Sequence, residues 1–323
     1  MRCLATILIF FAGTTLPLLA EDLILTGTVV TMTGRDAIIP QGAILIRDGQ
    51  IQEIIAVAKR RGKTVMDFSS NVDDATVVET DGLIFPGLIN IHNHTLYGSL
   101  PHVPIEQNYN NRYEWQPDDN AVDLTPFLGV NVPLPFNIGR ADFNPYVEYP
   151  RHLLTNSQLF GLAIEASKYS EIKALVGGTT TIEGSINANG VTNMLIRNAE
   201  SANLGAGAVF RTAQNITEPE FAPIAAQLAQ AGQAGLLDAF LVHLAEGTDS
   251  TSLAELEKLK QLNLFDEWTV IVHGVPFPRS VFDEMAVVGA DLVWSPTSNL
   301  ALYGQTARAD QALSAGVNVS LVL

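Results

Sequence analysis

The sequence predicts an α/β protein, a (β/α)8 TIM barrel preceded by a small β module, and three observations carry that expectation. Short, nearly continuous apolar runs recur from residue 81 onward. Stretches with helical spacing lie between them. Ahead of both is a segment of alternating strands with a two-residue turn signal. Strands apolar on both faces need cover on both faces, which a parallel sheet flanked by helices provides. Repeated this often, the unit closes into a barrel.

The first element is "MRCLATILIFFAGTTLPLLAED". Arg2 supplies a short basic region, Leu4–Leu16 an apolar core, and Ala20 a small residue before a cut, so residues 1–20 read as a secretory signal peptide. The apolar run is short for a membrane span of ~20 residues. The expectation is an exported protein, periplasmic or secreted, with no membrane association after cleavage. The single cysteine, Cys3, lies inside the signal, so no disulfide staples the mature chain. With 323 residues, 47% hydrophobic, there is ample material for a core. A formal charge of −16 argues against nucleic acid and anionic membrane as partners, because both require basic patches.

Residues 21–80 form the β module. "DLILTGTVVTM" precedes "GAILIRDGQIQEIIAV", in which Asp48-Gly49 separates two alternating runs. Asp-Gly is a strong hairpin signal, because both central positions of that turn take positive φ.

Residues 81–323 form the barrel. Its strands are "LIFPGLINIHNH", "TTTIEGS" (179–185), "GAVFRT" (207–212), "AFLVHLAEG" (239–247), "WTVIVHGV" (268–275), "ADLVWSP" (290–296) and "VNVSLVL" (317–323). Helical spacing covers Val191–Ala202, Pro219–Leu237, Ser252–Leu262, Ser280–Val288 and Thr306–Ala315. That makes seven strands, with an eighth hidden between 186 and 238 or absent. Residues 98–150 fit neither texture and hold 8 of the 16 prolines, which marks a long insertion. It is either a plain surface excursion or, since insertions after the first barrel strand lie on the catalytic face, a lid or substrate wall. Its Arg112 and Trp115 could contact substrate or simply pack the loop. Of the two Asn-X-Thr/Ser sites, Asn215 and Asn318, the second is expected on a buried strand.

Four of the six histidines, His92, His94, His243 and His273, fall at the ends of three predicted strands. Alternate strand residues share a face, so His92 and His94 can point into one cavity. Active sites of barrels collect at this end, and neutral imidazole is a good ligand for zinc or iron. Each histidine alone is as well explained by a turn or a hydrogen-bonded core position; four at equivalent places favour a metal. Glu246, three residues after His243, can place a general base beside a metal-activated water. The alternative is a surface glutamate at the start of a helix.

"GLIFPGLINIHNH", "GGTTTIEGS", "FLVHLAEG", "VIVHG" and "VWSPTSNLALYG" occur in the order found in the amidohydrolase superfamily. The chain resembles its chlorohydrolase and cytosine-deaminase-like branch over nearly all of 22–323 apart from the insertion. The resemblance implies that residues 21–80 are half of a flanking β-sandwich. It implies that His92, His94 and His243 are metal ligands, that His273 either ligates or holds the attacking water, and that Glu246 shuttles protons. Asn299, in "SPTSNL", matches a loop residue that is structural or faces substrate. Because no lysine stands at the bridging position of two-metal members, one divalent ion is implied, Zn2+ first and Fe2+ as the alternative. The activity implied is hydrolysis of a non-peptide carbon–nitrogen bond in a small-molecule substrate, of amidohydrolase or deaminase type. Self-association is left open.

The pattern breaks at the C-terminus. Relatives carry an aspartate just after the eighth strand, whereas here no Asp or Glu follows Asp310. The expectation is therefore a barrel incomplete at its C-terminal end, with activity impaired or, as the alternative, a non-catalytic remnant that still binds metal or ligand.

Overall fold

The computed structural model describes residues 22–34, 37–100, 108–115, 148–157, 159–184, 190–199, 209–212 and 216–322. The predicted signal, Cys3, His102, Asn215 and most of the 98–150 insertion lie outside the described residues. The chain divides into two compact units, Met1–Pro86 and Gly87–Leu323. Among the described residues no helix is long and apolar enough to cross a membrane.

The first unit contains β1 (Leu23–Val30), β2 (Ile38–Arg47), β3 (Gln50–Ala56), β4 (Ala58–Arg60), β5 (Lys63–Val65) and β6 (Thr76–Ile84). Four of them form a sheet in the order β3-β2-β1-β6, and β4 and β5 form a separate ribbon. The β2–β3 turn is made by Asp48 and Gly49 with φ of 52° and 72°, the positive pair that a two-residue hairpin demands. Arg61 and Gly62 repeat the device between β4 and β5 at 52° and 76°. Ile24, Ala43 and Leu45 are fully buried beneath Ile55, Val57, Met66 and Phe68. Arg47 closes the open end of the sheet by forking onto both oxygens of Asp22.

The second unit alternates strands and helices. Its elements are β7 (Leu88–Asn90), α1 (Glu148–Thr155), α2 (Ala163–Val176), β8 (Thr179–Ile182), β9 (Arg197–Asn198), β10 (Val209–Thr212), α3 (Ala222–Gln233), β11 (Ala239–Leu244), α4 (Ser250–Gln261), β12 (Thr269–His273), α5 (Arg279–Val288), β13 (Asp291–Trp294), α6 (Pro296–Tyr303), α7 (Ala309–Ala315) and β14 (Val319–Leu321). They make two wholly parallel sheets, β7-β8-β9 and β10-β11-β12-β13-β14. Within each sheet, sequence neighbours are sheet neighbours, as repeated βα units require.

Alternation along the strands sorts side chains into two layers. Phe240, Val242, Leu244, Ile271 and Leu292 face the helices, where they pack on Phe221, Leu256, Leu259, Phe282 and Met285. Val272, Val293 and Val322 occupy the opposite face. The register agrees, since Val242 stands beside Ile271 and Ile271 beside Leu292.

Two expectations need correction. Over its described residues, 191–199, the predicted helix Val191–Ala202 is instead a series of turns leading into β9, the strand missing from the sequence count. Asn193 takes a left-handed φ of 54°, and Asn193 and Asn198 each accept the other's backbone N–H on their side-chain oxygens at 2.7 and 2.8 Å. Such local side-chain to backbone bonds compete directly with helix. Asn318 is exposed and immediately precedes β14, so it is not on a buried strand.

Candidate functional site

The site is built from the C-terminal ends of strands in the second unit. β7 stops at Asn90, two residues short of His92. The chain nevertheless stays alongside β8, because Glu183 donates its N–H to the Asn90 carbonyl at 2.8 Å and Asn93 donates to that of Glu183 at 3.1 Å. Beyond β7 the chain bends at Ile91 and His92, and the rings of His92 and His94 still meet, with Nε2 atoms 3.2 Å apart.

The imidazoles of His92, His94 and His243 converge. Nε2 of His92 lies 2.9 Å from Nε2 of His243 and 3.2 Å from that of His94, and the third separation is 3.3 Å. A tetrahedral zinc with ligands at ~2.0–2.1 Å would hold two nitrogens roughly 3.4 Å apart. The donor set and its spacing therefore fit a divalent ion that accepts imidazole nitrogen. His92, His243 and His273 are all buried, with ligand atoms within 4.8 Å of one another.

His273 reaches this cluster by an irregular route. In the β11–β12 ladder it stands beside Leu244, whose side chain faces the helices. Plain alternation would send the imidazole the same way. Instead His273 adopts a φ of 83°, rare for a residue with a Cβ, and its ring lies 5.2 Å from that of His92. Such strain costs on the order of 1–3 kcal/mol and persists only where surrounding contacts impose it. One such contact is with Asn299 on α6, whose Oδ1 lies 2.8 Å from Nδ1 of His273. With the proton on Nδ1 donated to Asn299, Nε2 turns its lone pair toward the cluster.

Glu246 lies two residues beyond β11 and is 5% exposed, so it is not the surface glutamate that the sequence left as an alternative. Its Oε2 is 3.6 Å from Nε2 of His273, and its Oε1 accepts the Tyr303 hydroxyl at 3.0 Å. Burial pushes the Tyr303 hydroxyl far above its ordinary range, and the Glu246 charge pushes it further. The phenol therefore stays protonated and acts as the donor.

Residues 108–115 of the insertion are laid on this site as a strap. Asn111 bridges to Gly247, Arg112 donates its N–H to the Glu246 carbonyl at 3.0 Å, and Tyr109 donates to the Leu302 carbonyl at 2.8 Å. The strap approaches so closely that a Cβ on Gly247 would meet the Asn110 carbonyl at 2.5 Å. Arg112 is 1% exposed and donates from Nη1 to the His243 carbonyl at 3.0 Å. Its Nε lies 3.8 Å from Glu255 on α4, and Glu255 also takes the Tyr113 hydroxyl and, at 2.6 Å, the Ala245 N–H. Burial holds Glu255 above the usual carboxylate range, with Arg112 opposing the shift. Of the two roles the sequence left for Arg112 and Trp115, the geometry is that of packing: Trp115 donates from Nε1 to the Tyr303 oxygen at 2.8 Å.

Sequence reasoning singled out His92, His94, His243, His273, Glu246 and Asn299, and the structure brings all six together. It passed over Tyr303 and Glu255. Tyr303 carried a usable signal, since it lies four residues after Asn299 and hence on the same helix face.

No protein-family model matches the chain, and no curated protein matches it significantly by sequence. Solved structures do match by fold. A triazine hydrolase from Arthrobacter aurescens superposes with a TM-score of 0.61 at 14% identity, covering 94% of this chain and 71% of that one. A guanine deaminase from C. acetobutylicum with bound guanine gives 0.60 at 14% identity, covering 94% and 74%. An adenosine deaminase from Xanthomonas campestris with bound zinc gives 0.53 at 14%, covering 94% and 69%.

The chain shares the fold of these solved structures. At these identities the likeness speaks to architecture. The chemistry of this member has to be argued from its own residues.

Proposed function

We propose that the chain is a metal-dependent hydrolase that cleaves a non-peptide carbon–nitrogen bond in a small molecule. The observation that carries this reading is the trio of imidazole nitrogens on His92, His94 and His243, 2.9–3.3 Å apart, with buried Glu246 and His273 beside them. In this reading the two parallel sheets of the second unit together make the eight staves of a barrel, and the first unit is half of a β-sandwich. His92, His94 and His243 hold one divalent ion, zinc first and ferrous iron as the alternative, and His273 either completes the set or holds the attacking water. When bound, such an ion supplies Lewis acidity that brings the pKa of water down to ~7.

The protein's own groups do the rest. Glu246 takes one proton from the attacking water at a carboxylate oxygen. The water oxygen bonds to the sp2 carbon, the carbon–nitrogen bond breaks, and Glu246 returns the proton to the departing nitrogen. His273 Nε2 orients the water or steadies the oxygen on which charge develops. The fold neighbours act on triazines, guanine and adenosine, so nitrogen-rich heteroaromatic compounds with an exocyclic leaving group are the first substrates to try. The N-terminal pattern supports export of the mature chain.

The test is ammonia or amine release by the zinc-supplemented full chain over a panel of aminopurines and s-triazines. Glu246→Gln should keep the zinc and lose about 10²–10⁴-fold in turnover. A wild-type chain that holds zinc but turns over nothing, or a variant as active as wild type, would contradict the proposal.

A further inference from the structure

Glu246 is not held by His273 alone. Its other oxygen ends a chain of hydrogen bonds that runs from the strap through α6. Trp115 donates from Nε1 to the Tyr303 oxygen at 2.8 Å, and Tyr303 donates to Oε1 of Glu246 at 3.0 Å. The direction is fixed by chemistry, because an indole N–H can only donate and a phenol has one proton to give. With Trp115 occupying a lone pair on its oxygen, Tyr303 must spend that proton on Glu246. Tyr303 and Glu246 are 3% and 5% exposed, so the contact is shielded from bulk solvent. Oε1 is thus engaged by a buried donor, and Oε2 is the oxygen left facing His273.

The chain is anchored at both ends. Trp115 closes the 3-10 turn Arg112–Glu114, which the Arg112 N–H ties to the Glu246 carbonyl. Tyr303 ends α6, and the Gly304 that caps it has a φ of 66° and so little room that a Cβ would meet Asn108 Nδ2 at 2.0 Å. One turn earlier on the same helix, Asn299 holds Nδ1 of His273. Helix α6 therefore sets the orientation of both groups that handle protons in the reading above.

We propose that Trp115 and Tyr303 are positioning residues that hold Glu246 with Oε1 capped and Oε2 directed at His273, making Oε2 the atom through which Glu246 exchanges protons. The positioning stands on the geometry; the proton exchange rests on the hydrolase reading.

Two measurements test it. Thermal denaturation of the metal-free full chain reports the contact itself: Tyr303→Phe keeps the ring and removes only the hydroxyl. It should lower the midpoint by about 2–4 °C in the wild-type background. In a Glu246→Ala background the same change should cost clearly less, because only the Trp115 contact to the hydroxyl is then lost. Equal losses in both backgrounds, or no loss in either, would overturn the proposal. In the zinc-loaded chain, Tyr303→Phe should lower kcat about ten- to hundredfold with KM within about twofold and zinc content unchanged. Trp115→Phe should act in the same direction and less strongly. Unchanged kcat in Tyr303→Phe would overturn the proton-exchange role. If wild type turns over no substrate, the hydrolase reading and that role fall together, while the thermal cycle still decides the positioning.

Discussion

His273 stands level with Leu244 across the β11–β12 ladder, yet its imidazole lies 5.6 Å from that of His243 and not among the helix-facing side chains. The φ of 83° at His273 is what reverses the side chain. A site that needs a histidine there has accepted a conformation which glycine would tolerate more easily.

That relationship makes an unusual stability prediction. In an ordinary strand, alanine is preferred over glycine by roughly 0.5–1 kcal/mol. At position 273 the order should invert, with His273→Gly more stable than His273→Ala by about 1 kcal/mol. Urea denaturation of the two variants without metal checks it; the ordinary order would mean that the backbone is not strained.

Gly247 should tolerate nothing larger. A Cβ there would come within 2.3 Å of Ser252 Oγ and 2.5 Å of both the Asn110 oxygen and the Asn111 Cα. Gly247→Ala should cost about 1–3 kcal/mol and release the strap. Hydrogen exchange would show faster loss of protection at the Arg112 and Thr248 amides, which donate to Glu246 and Asn110. Undiminished protection in the variant would show that the strap is held by other means.

The strap also sets a pH dependence. Glu255 has its carboxyl raised by burial from an ordinary value near 4.5. Between that value and its higher folded one, the native chain retains a proton that the unfolded chain has released. The stability contributed by this group is then full below about pH 4.5 and declines as pH rises through the window. Glu255→Gln removes the titration, so the difference in denaturation midpoint between variant and wild type should shift in favour of the variant as pH rises from 4.5. A difference independent of pH would remove Glu255 as the source.

Much of the site was legible because the strands that carry it are strongly patterned. "AFLVHL" and "TVIVH" are apolar runs with a histidine at or one residue before their ends, and the recurrence of that placement on several strands is what marked a site. β9 was illegible because two residues make no period, and its flanking asparagines spend their side chains on local backbone bonds. The route of His273 into the site was illegible for a different reason, since alternation predicts the opposite face. Arg112 could not be assigned from sequence either: a guanidinium in a Tyr- and Asn-rich stretch serves substrate or packing equally well. Only its burial against the His243 carbonyl and Glu255 decides the matter. Tyr303 was missed although Asn299 one turn earlier marked its helix face.

The central claim is that His92, His94 and His243 form a metal centre, and the most direct test is the zinc stoichiometry of the purified full chain after equilibration with zinc and removal of the excess. The account predicts about one tightly held zinc per chain, lost in the His92→Ala/His94→Ala double variant and retained in Glu246→Gln. A wild-type chain that emerges without zinc, or a double variant that keeps it, would contradict the account.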